Sequence, residues 1–75
     1  MNAEIERMIG NNVRRLRESK GLTQDMLAAR LQVNGCDVTR SAIAKIEVGQ
    51  RHLYPDEILA IKNALGVEYN EIFEI

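Results

Sequence analysis

Several features that large or secreted proteins rely on are scarce in this 75-residue chain. It has one cysteine, one proline, no tryptophan, two tyrosines and one phenylalanine. A single cysteine excludes an internal disulfide and a zinc site built from paired thiolates. The core must also be small, because a domain of ~60 residues buries only about 60% of its unfolded surface. We therefore expect neither a large cofactor pocket nor a two-lobed active site.

Long hydrophobic runs are absent as well. No stretch approaches the ~18 apolar residues of a membrane span, and no basic-then-apolar leader opens the chain. Hydrophobic residues make up 45% and charged residues 28%, a balance that is typical of a soluble globular protein. We expect one domain over residues 1–75, located in a reducing cytoplasm, with no cofactor and no membrane contact.

The net charge of −1 hides an uneven distribution. Residues 1–54 carry nine Lys and Arg against six Asp and Glu, whereas residues 55–75 carry one lysine against five acids. This pattern fits ordinary solvated helix faces. It fits equally well a molecule with a basic end that binds a partner and an acidic end on the opposite side. Charge alone leaves both interpretations open.

Apolar residues recur at every third or fourth position through most of the chain, which predicts five helices and no strand. The expected helices are residues 3–19, a second beginning at Thr23, a third over about 39–48, a fourth from about 55 to Gly66, and a fifth over about 69–74. The residues expected to face the core are Ile5, Ile9, Val13, Leu16, Leu27, Ala28, Leu31, Ile43, Ile46, Ile58, Ile61, Leu65, Ile72 and Phe73.

Thr23 and Thr39 are each expected to cap a helix, since a threonine hydroxyl can accept a hydrogen bond from a first-turn amide. The segment between these two helices, Gln32–Val38, contains Asn34-Gly35, a strong turn signal. We expect this segment to form a solvent-exposed loop. Its Cys36 is interpreted as a half-buried structural residue and not as a redox thiol.

The side chains that an enzyme would need do not converge in this sequence. His52 is the only histidine, and no residue near it has metal-ligand spacing. A surface or helix-capping role is therefore expected for it. The acidic residues are scattered along faces expected to be exposed. The sequence predicts neither catalysis nor a bound metal.

The third predicted helix has an outward stripe beside its buried residues, formed by Arg40, Ser41, Ala44, Lys45 and Val48. Arginine and lysine can donate to O6 and N7 of guanine, and small neighbours let a helix approach the floor of the major groove. A stripe of this kind is also found on ordinary solvated helices. The stripe alone does not decide between the two.

Three segments follow one another in a particular order: GLTQDMLAARL at 21–31, TRSAIAKIEVG at 39–49, and the ALGV to IF run at 64–73. Together they resemble the phage-repressor (Cro-like, XRE-like) helix-turn-helix family of regulators. The resemblance covers nearly the whole chain, from about residue 9 to 73. It implies an all-α, five-helix, lambda-repressor-like DNA-binding domain. The family turn is usually shorter than Gln32–Val38, so this sequence departs from the family pattern by an extended turn between the two helices.

The resemblance assigns roles to individual side chains. The residues expected to contact bases are Arg40, Ser41, Ala42, Ala44 and Lys45, with Ala42 allowing close backbone approach or meeting a thymine methyl. The residues expected to contact the DNA backbone are Thr23, Gln24, Thr39, Gln50 and Arg51. A structural ion pair is expected between Arg17 and Glu47, joining the first helix to the end of the third.

The sequence therefore predicts a transcriptional regulator that binds a double-stranded DNA operator sequence-specifically, and in particular a repressor acting as a homodimer. The expected dimer surface is the acidic C-terminal end, where Tyr69 and Ile75 lie beside Ile72 and Phe73, the two residues of the fifth helix that are expected to face the core. Two alternatives on the same fold remain open. One is a protein–protein adaptor, which the near-neutral charge favours, and the other is an antitoxin that binds both DNA and a protein partner.

Overall fold

The computed structural model describes residues 2–74. They form five helices: α1 Ala3–Ser19, α2 Gln24–Val33, α3 Arg40–Glu47, α4 Pro55–Leu65 and α5 Tyr69–Phe73. Within this part of the chain there is no strand, and every helix is too short or too polar to cross a bilayer. The predicted all-α, five-helix architecture is confirmed, and each helix begins within one residue of its expected start.

Both predicted threonine caps are present. The hydroxyl of Thr23 accepts a hydrogen bond from the amide of Met26 at 3.1 Å, and that of Thr39 accepts one from Ala42 at 3.2 Å. Each bond satisfies one of the amide groups that the first turn of a helix leaves without a partner. The starts of α2 and α3 are therefore fixed by local sequence.

The core lies where α1 packs across the bundle. This helix contacts α3, α4 and α5, while α2 contacts α3 and α4. The buried apolar side chains are Val13, Leu16, Leu22, Leu27, Ala28, Leu31, Val38, Ile43, Ile46, Ile61, Ala64, Leu65, Val67 and Ile72. Since burial of one Val, Leu or Ile side chain contributes about 1.5–3 kcal/mol, these residues dominate the stability of the bundle.

Four residues predicted to face the core are less buried than expected. Phe73 is 42% exposed, because the single short helix α5 can turn only one side inward and Ile72, at 0%, already occupies it. Ile5 is 39% exposed in the first turn of α1. Ile9 and Ile58 are partly buried. The placement of Phe73 in the core was therefore wrong.

The turn between α2 and α3 spans residues 34–39 and is shorter than predicted, because Gln32 and Val33 complete the last turn of α2. The amide of Cys36 donates to a carbonyl of that last turn at 2.8 Å. Cys36 is half-buried as expected, whereas Val38 is only 1% exposed. The prediction of an exposed loop is wrong at Val38 alone, because this apolar side chain just before the Thr39 cap packs into the core, whereas Asp37 is exposed.

Candidate nucleic-acid interface

One face of α3 is basic and polar, and the opposite face is buried. Ile43 and Ile46 are fully packed in the core, which turns Arg40, Ser41 and Lys45 towards solvent. Three residues at this spacing share one side of a helix. Their guanidinium, hydroxyl and ammonium groups can act as hydrogen-bond donors to base edges in a groove.

The small side chains of α3 do not all lie on that face. Ala42 is partly buried and packs against the hydrophobic core, because it lies one helical turn before the buried Ile46 and shares its face of the helix. Ala42 therefore lies beside the outward stripe and not within it, and its expected base contact stays a prediction. Ala44 is half-buried at the edge of the exposed face, and Val48, which is exposed, lies just beyond the last residue of α3.

The two capping threonines lie at the exposed N-termini of α2 and α3. Each hydroxyl accepts a hydrogen bond from its own helix and keeps its O–H free to donate. The N-terminus of a helix also favours an anion, because its first amides and its dipole present positive charge. Thr23 and Thr39 can therefore donate to phosphate oxygens without losing their capping role.

Arg40 is paired with a carboxylate from the neighbouring helix. Its Nε lies 3.6 Å from Oδ1 of Asp25, and both side chains are mostly exposed. Asp25 belongs to the first turn of α2, whereas the first turn of α3 contains no acidic residue. The pair thus bridges the N-termini of the two helices that would face DNA.

The other end of α3 is held by a buried ion pair. Nε of Arg17 donates to Glu47 at 2.7 Å and Nη2 donates to the second carboxylate oxygen at 3.0 Å, with the side chains 8% and 1% exposed. Nη1 donates to the carbonyl of Leu22 at 2.7 Å. The hydrogen bond to Glu47 raises the pKa of Arg17, and burial opposes this increase. The pair expected from the sequence therefore exists in bidentate form and joins α1 to α3.

Gln24 belongs to the same network. Its Nε2 donates to Oε1 of Glu47 at 3.0 Å, so the side chain is half-buried and its orientation is fixed. An amide nitrogen has a second hydrogen, which stays free to donate. The expected backbone contact of Gln24 is therefore compatible with the network, and Glu47 becomes the group that orients it.

Sequence reasoning missed a close helix–helix approach at Gly10. A Cβ at this position would overlap the carbonyl oxygen of Ile46 and lie 3.3 Å from the backbone carbon of Glu47. Only a glycine lets α1 and α3 pack so closely, so Gly10 sets the distance between them. The available signal was a glycine inside a helical pattern, which often has a packing reason.

Arg51 is less free than the sequence suggested. Its Nη1 and Nη2 donate to the two carboxylate oxygens of Glu57 at 2.8 and 3.0 Å, and Nη1 also donates to the carbonyl of His52. These bonds from Arg51 lower the pKa of Glu57, against the opposing effect of burial. A phosphate contact from Arg51 would have to compete with Glu57, whereas Gln50 is exposed and unhindered.

A second residue without a predicted role, Asn12, holds the C-terminal part of the chain. It is 8% exposed, and its Nδ2 donates to the carbonyls of Ile72 at 2.9 Å and Glu74 at 2.6 Å. Arg15 donates to its Oδ1 at 3.2 Å. The side-chain amide of Asn12 therefore attaches α5 to α1, the same helix that carries the attachment of α3.

Neither Cys36 nor His52 lies in surroundings that favour a redox or metal-binding role. Burial, and then the nearby carboxylates of Glu57 and Asp56, raise the pKa of the Cys36 thiol, which disfavours the nucleophilic thiolate form. Nδ1 of His52 lies 2.7 Å from Oε1 of Glu6 on α1. Among residues 2–74 no group of His, Cys, Asp and Glu is arranged to hold a metal.

Comparison with known proteins agrees with this geometry. A family model described as helix-turn-helix matches residues 13–72. The chain is 35% identical over 75 residues to control protein C.BamHI of Bacillus amyloliquefaciens, a match that covers 99% of this chain and 86% of that protein. It also resembles the crystal structure of the restriction-modification controller protein C.AhdI from Aeromonas hydrophila, with 37% identity, a TM-score of 0.76 and 87% of each chain covered.

Proposed function

This chain belongs to the helix-turn-helix family of DNA-binding transcriptional regulators, and we propose that its α3 lies in the major groove of an operator. The observation that carries this proposal is the exposed face of α3, where Arg40, Ser41 and Lys45 project opposite a fully buried face. An arginine or lysine on such a face can donate hydrogen bonds to O6 and N7 of guanine, and a serine hydroxyl can donate a hydrogen bond to a base edge or accept one from it. Ala44 at the edge of the face allows close approach.

Affinity for any DNA sequence would come from the groups around α3. The free hydroxyls of Thr23 and Thr39, the second amide hydrogen of Gln24 and the exposed side chain of Gln50 can each donate to a phosphate oxygen. Contacts of this kind set position and register, and they carry no sequence information of their own. Arg51 would add a further contact only by sharing its guanidinium with Glu57.

The regulated genes are suggested by the relatives. One is named a control protein and the other a restriction-modification controller protein. We extend this role to the present chain: residues 1–75 act as one non-catalytic domain in the cytoplasm that controls the genes of a restriction-modification system. Repression by occupying the operator is the simplest mechanism for a domain of this size. Neither relative is named an adaptor or an antitoxin.

Selection of bound duplexes from a random DNA pool tests the DNA-binding proposal. We expect a defined sequence to be enriched, with an affinity that falls steeply as salt rises, because phosphate contacts release counterions. A reporter placed behind the selected site gives the sign of regulation, and repression predicts lower expression when the chain is present. Failure to bind any duplex at low salt would contradict the proposal.

We further propose that two copies bind one operator through the C-terminal end. Tyr69 and Phe73 are each 42% exposed and lie four residues apart on α5, so the two aromatic side chains share one face of the helix. Lys62 lies over the ring of Tyr69 at 5.2 Å and covers it only in part. Ile75, which was also expected on this surface, lies outside the described residues. Two-fold pairing would give two half-sites about 10 bp apart.

Sedimentation of the protein alone and with the selected duplex tests the dimer. We expect two copies per duplex, a symmetric selected site, and loss of the second copy in Tyr69→Glu. Val33→Glu is the matched control, because Val33 is an exposed apolar residue at the end of α2 and its change should leave the stoichiometry at two. One copy on an asymmetric site would contradict the dimer.

A further inference from the structure

The guanidinium of Arg40 lies near a carboxylate on one edge only. The atoms that join it to Asp25 are Nε and Oδ1, 3.6 Å apart. A guanidinium has a second edge formed by its two terminal nitrogens, and a pair of donors can reach O6 and N7 of guanine together. The contact with Asp25 involves Nε and therefore leaves the two terminal nitrogens of Arg40 available to other acceptors.

The positions of the two residues explain why they pair. Arg40 is the first residue of α3, so its positive charge lies at the positive end of the helix dipole, where a cation is disfavoured. The first turn of α3 has no acidic residue of its own. Asp25, the second residue of α2, supplies the missing negative charge from the neighbouring helix.

The pair contributes little to folding, because the side chains of Arg40 and Asp25 are 65% and 77% exposed and water screens their attraction. The surface they occupy is nevertheless the one on which DNA would lie. A carboxylate at this place repels phosphate, which by itself weakens binding to every duplex. We therefore expect Asp25 to affect DNA binding more than it affects stability.

We propose that Asp25 is a positioning residue that sets the base preference of Arg40. This inference rests on the proposed location of α3 in the major groove. When Arg40 reads guanine with its terminal nitrogens, Nε can keep its carboxylate partner. When Arg40 turns to a phosphate, the carboxylate is left unpaired beside a negative group. Asp25 thus disfavours binding to unrelated sequences more strongly than binding to the operator.

The test compares affinity for two duplexes: the one selected from a random pool by the wild-type chain, and a scrambled duplex of the same composition. Asp25→Asn keeps the shape of the side chain and removes its charge. We expect the ratio of the two affinities to fall about three- to fivefold, which matches the small energy of an exposed charge pair. The fall should come mainly from tighter binding to the scrambled duplex, with the melting temperature almost unchanged.

Asp56→Asn is the matched control. Asp56 is also an exposed aspartate at the second position of a helix, in this case α4. Its substitution removes the same charge from a helix that does not supply base contacts. We expect the affinity ratio of this variant to equal that of the wild type.

A double variant separates the two levels of the proposal. In an Arg40→Ala background, Asp25→Asn should leave the affinity ratio unchanged, because the side chain that it positions is gone. If Asp25→Asn raises both affinities by the same factor, Asp25 acts only through net charge and this inference is wrong. If Arg40→Ala itself leaves the ratio of the wild type intact, the groove assignment is wrong instead.

Discussion

Arg17 and Arg40 each pair with a carboxylate on another helix, and each pair attaches one end of α3. The Arg17–Glu47 pair is buried and bidentate, at 2.7 and 3.0 Å. The Arg40–Asp25 pair is exposed and makes one contact at 3.6 Å. A buried pair cannot change partner without leaving a charge in a medium that solvates it poorly, whereas an exposed pair can. Glu47 at the C-terminal end of α3 is therefore fixed by Arg17, whereas the side chain of Arg40 at the N-terminal end is free to exchange its partner.

The largest effect is expected from breaking the buried pair. Arg17→Met leaves the carboxylate of Glu47 without its arginine at a site that is 1% exposed, which should cost about 3–5 kcal/mol of stability. Urea unfolding measures the change, and DNA affinity should fall with it. Arg14→Met is the control, because Arg14 makes a mostly exposed contact at 3.6 Å with Glu18 and should cost about 1 kcal/mol or less.

If Arg17→Met is too unstable to study, the double variant Arg17→Met/Glu47→Leu provides a second measurement of what the buried pair contributes. It removes both charges, so it should recover part of the lost stability. An Arg17→Met protein that unfolds at the same urea concentration as the wild type would show that the two pairs do not differ as described.

A smaller effect is expected at Gly10, where the two helices approach most closely. Alanine normally stabilises a helix relative to glycine by about 1 kcal/mol. Here its Cβ would overlap the carbonyl oxygen of Ile46, so we expect a net loss of about 1–3 kcal/mol, typical of overpacking. Thermal unfolding measures this loss of stability, and Asn11→Ala is the control, because Asn11 is the exposed residue next to Gly10. A Gly10→Ala protein more stable than the wild type would refute the close approach.

The half-buried pair between Arg51 and Glu57 should contribute less to stability than the buried Arg17–Glu47 pair and more than the exposed Arg40–Asp25 pair. The pKa of Glu57 is lowered by Arg51, so the stabilisation is present above the ordinary pKa near 4.5 and is lost as the pH falls through the lower value of the folded state. Glu57→Gln should cost about 1 kcal/mol at pH 7. The difference from the wild type should shrink in melting curves below pH 4.5. A constant difference down to low pH would contradict this.

The smallest effect is expected at Cys36, which lies in the turn between α2 and α3. Because its pKa is raised by burial, the thiol should not act as a redox switch. Cys36→Ser should bind the selected duplex with unchanged affinity in a fluorescence titration. Reversible loss of binding after mild oxidation of the wild type, and not of the variant, would restore the redox interpretation.

The features that could be predicted from the sequence are those set by local rules. Helix starts follow from caps such as Thr23 and Thr39, and the buried face of α3 follows from the spacing of Ile43 and Ile46. The pairing of Arg17 with Glu47 came from a family resemblance, since the two residues lie 30 positions apart. Local sequence alone carries no information on such a contact.

The features that were missed depend on how distant segments meet. Gly10 and Asn12 have roles only because Ile46 and Ile72 approach α1 from remote parts of the chain. Phe73 was misplaced because apolar character predicts burial, whereas a single-turn helix has room for one buried side chain. The partners of Arg51 and Gln24 were likewise invisible, so both seemed freer to bind phosphate than the structure allows.

The most direct test of this account is the base preference of Arg40→Ala, measured by selection from a random DNA pool and by affinity for the resulting duplexes. We expect discrimination at one base pair to fall by about 1–3 kcal/mol while the fold keeps its melting temperature. Arg14→Ala, which removes an equal charge from α1, should weaken binding to all duplexes alike. An Arg40→Ala protein with the affinity and the base preference of the wild type would contradict the assignment of α3 to the major groove.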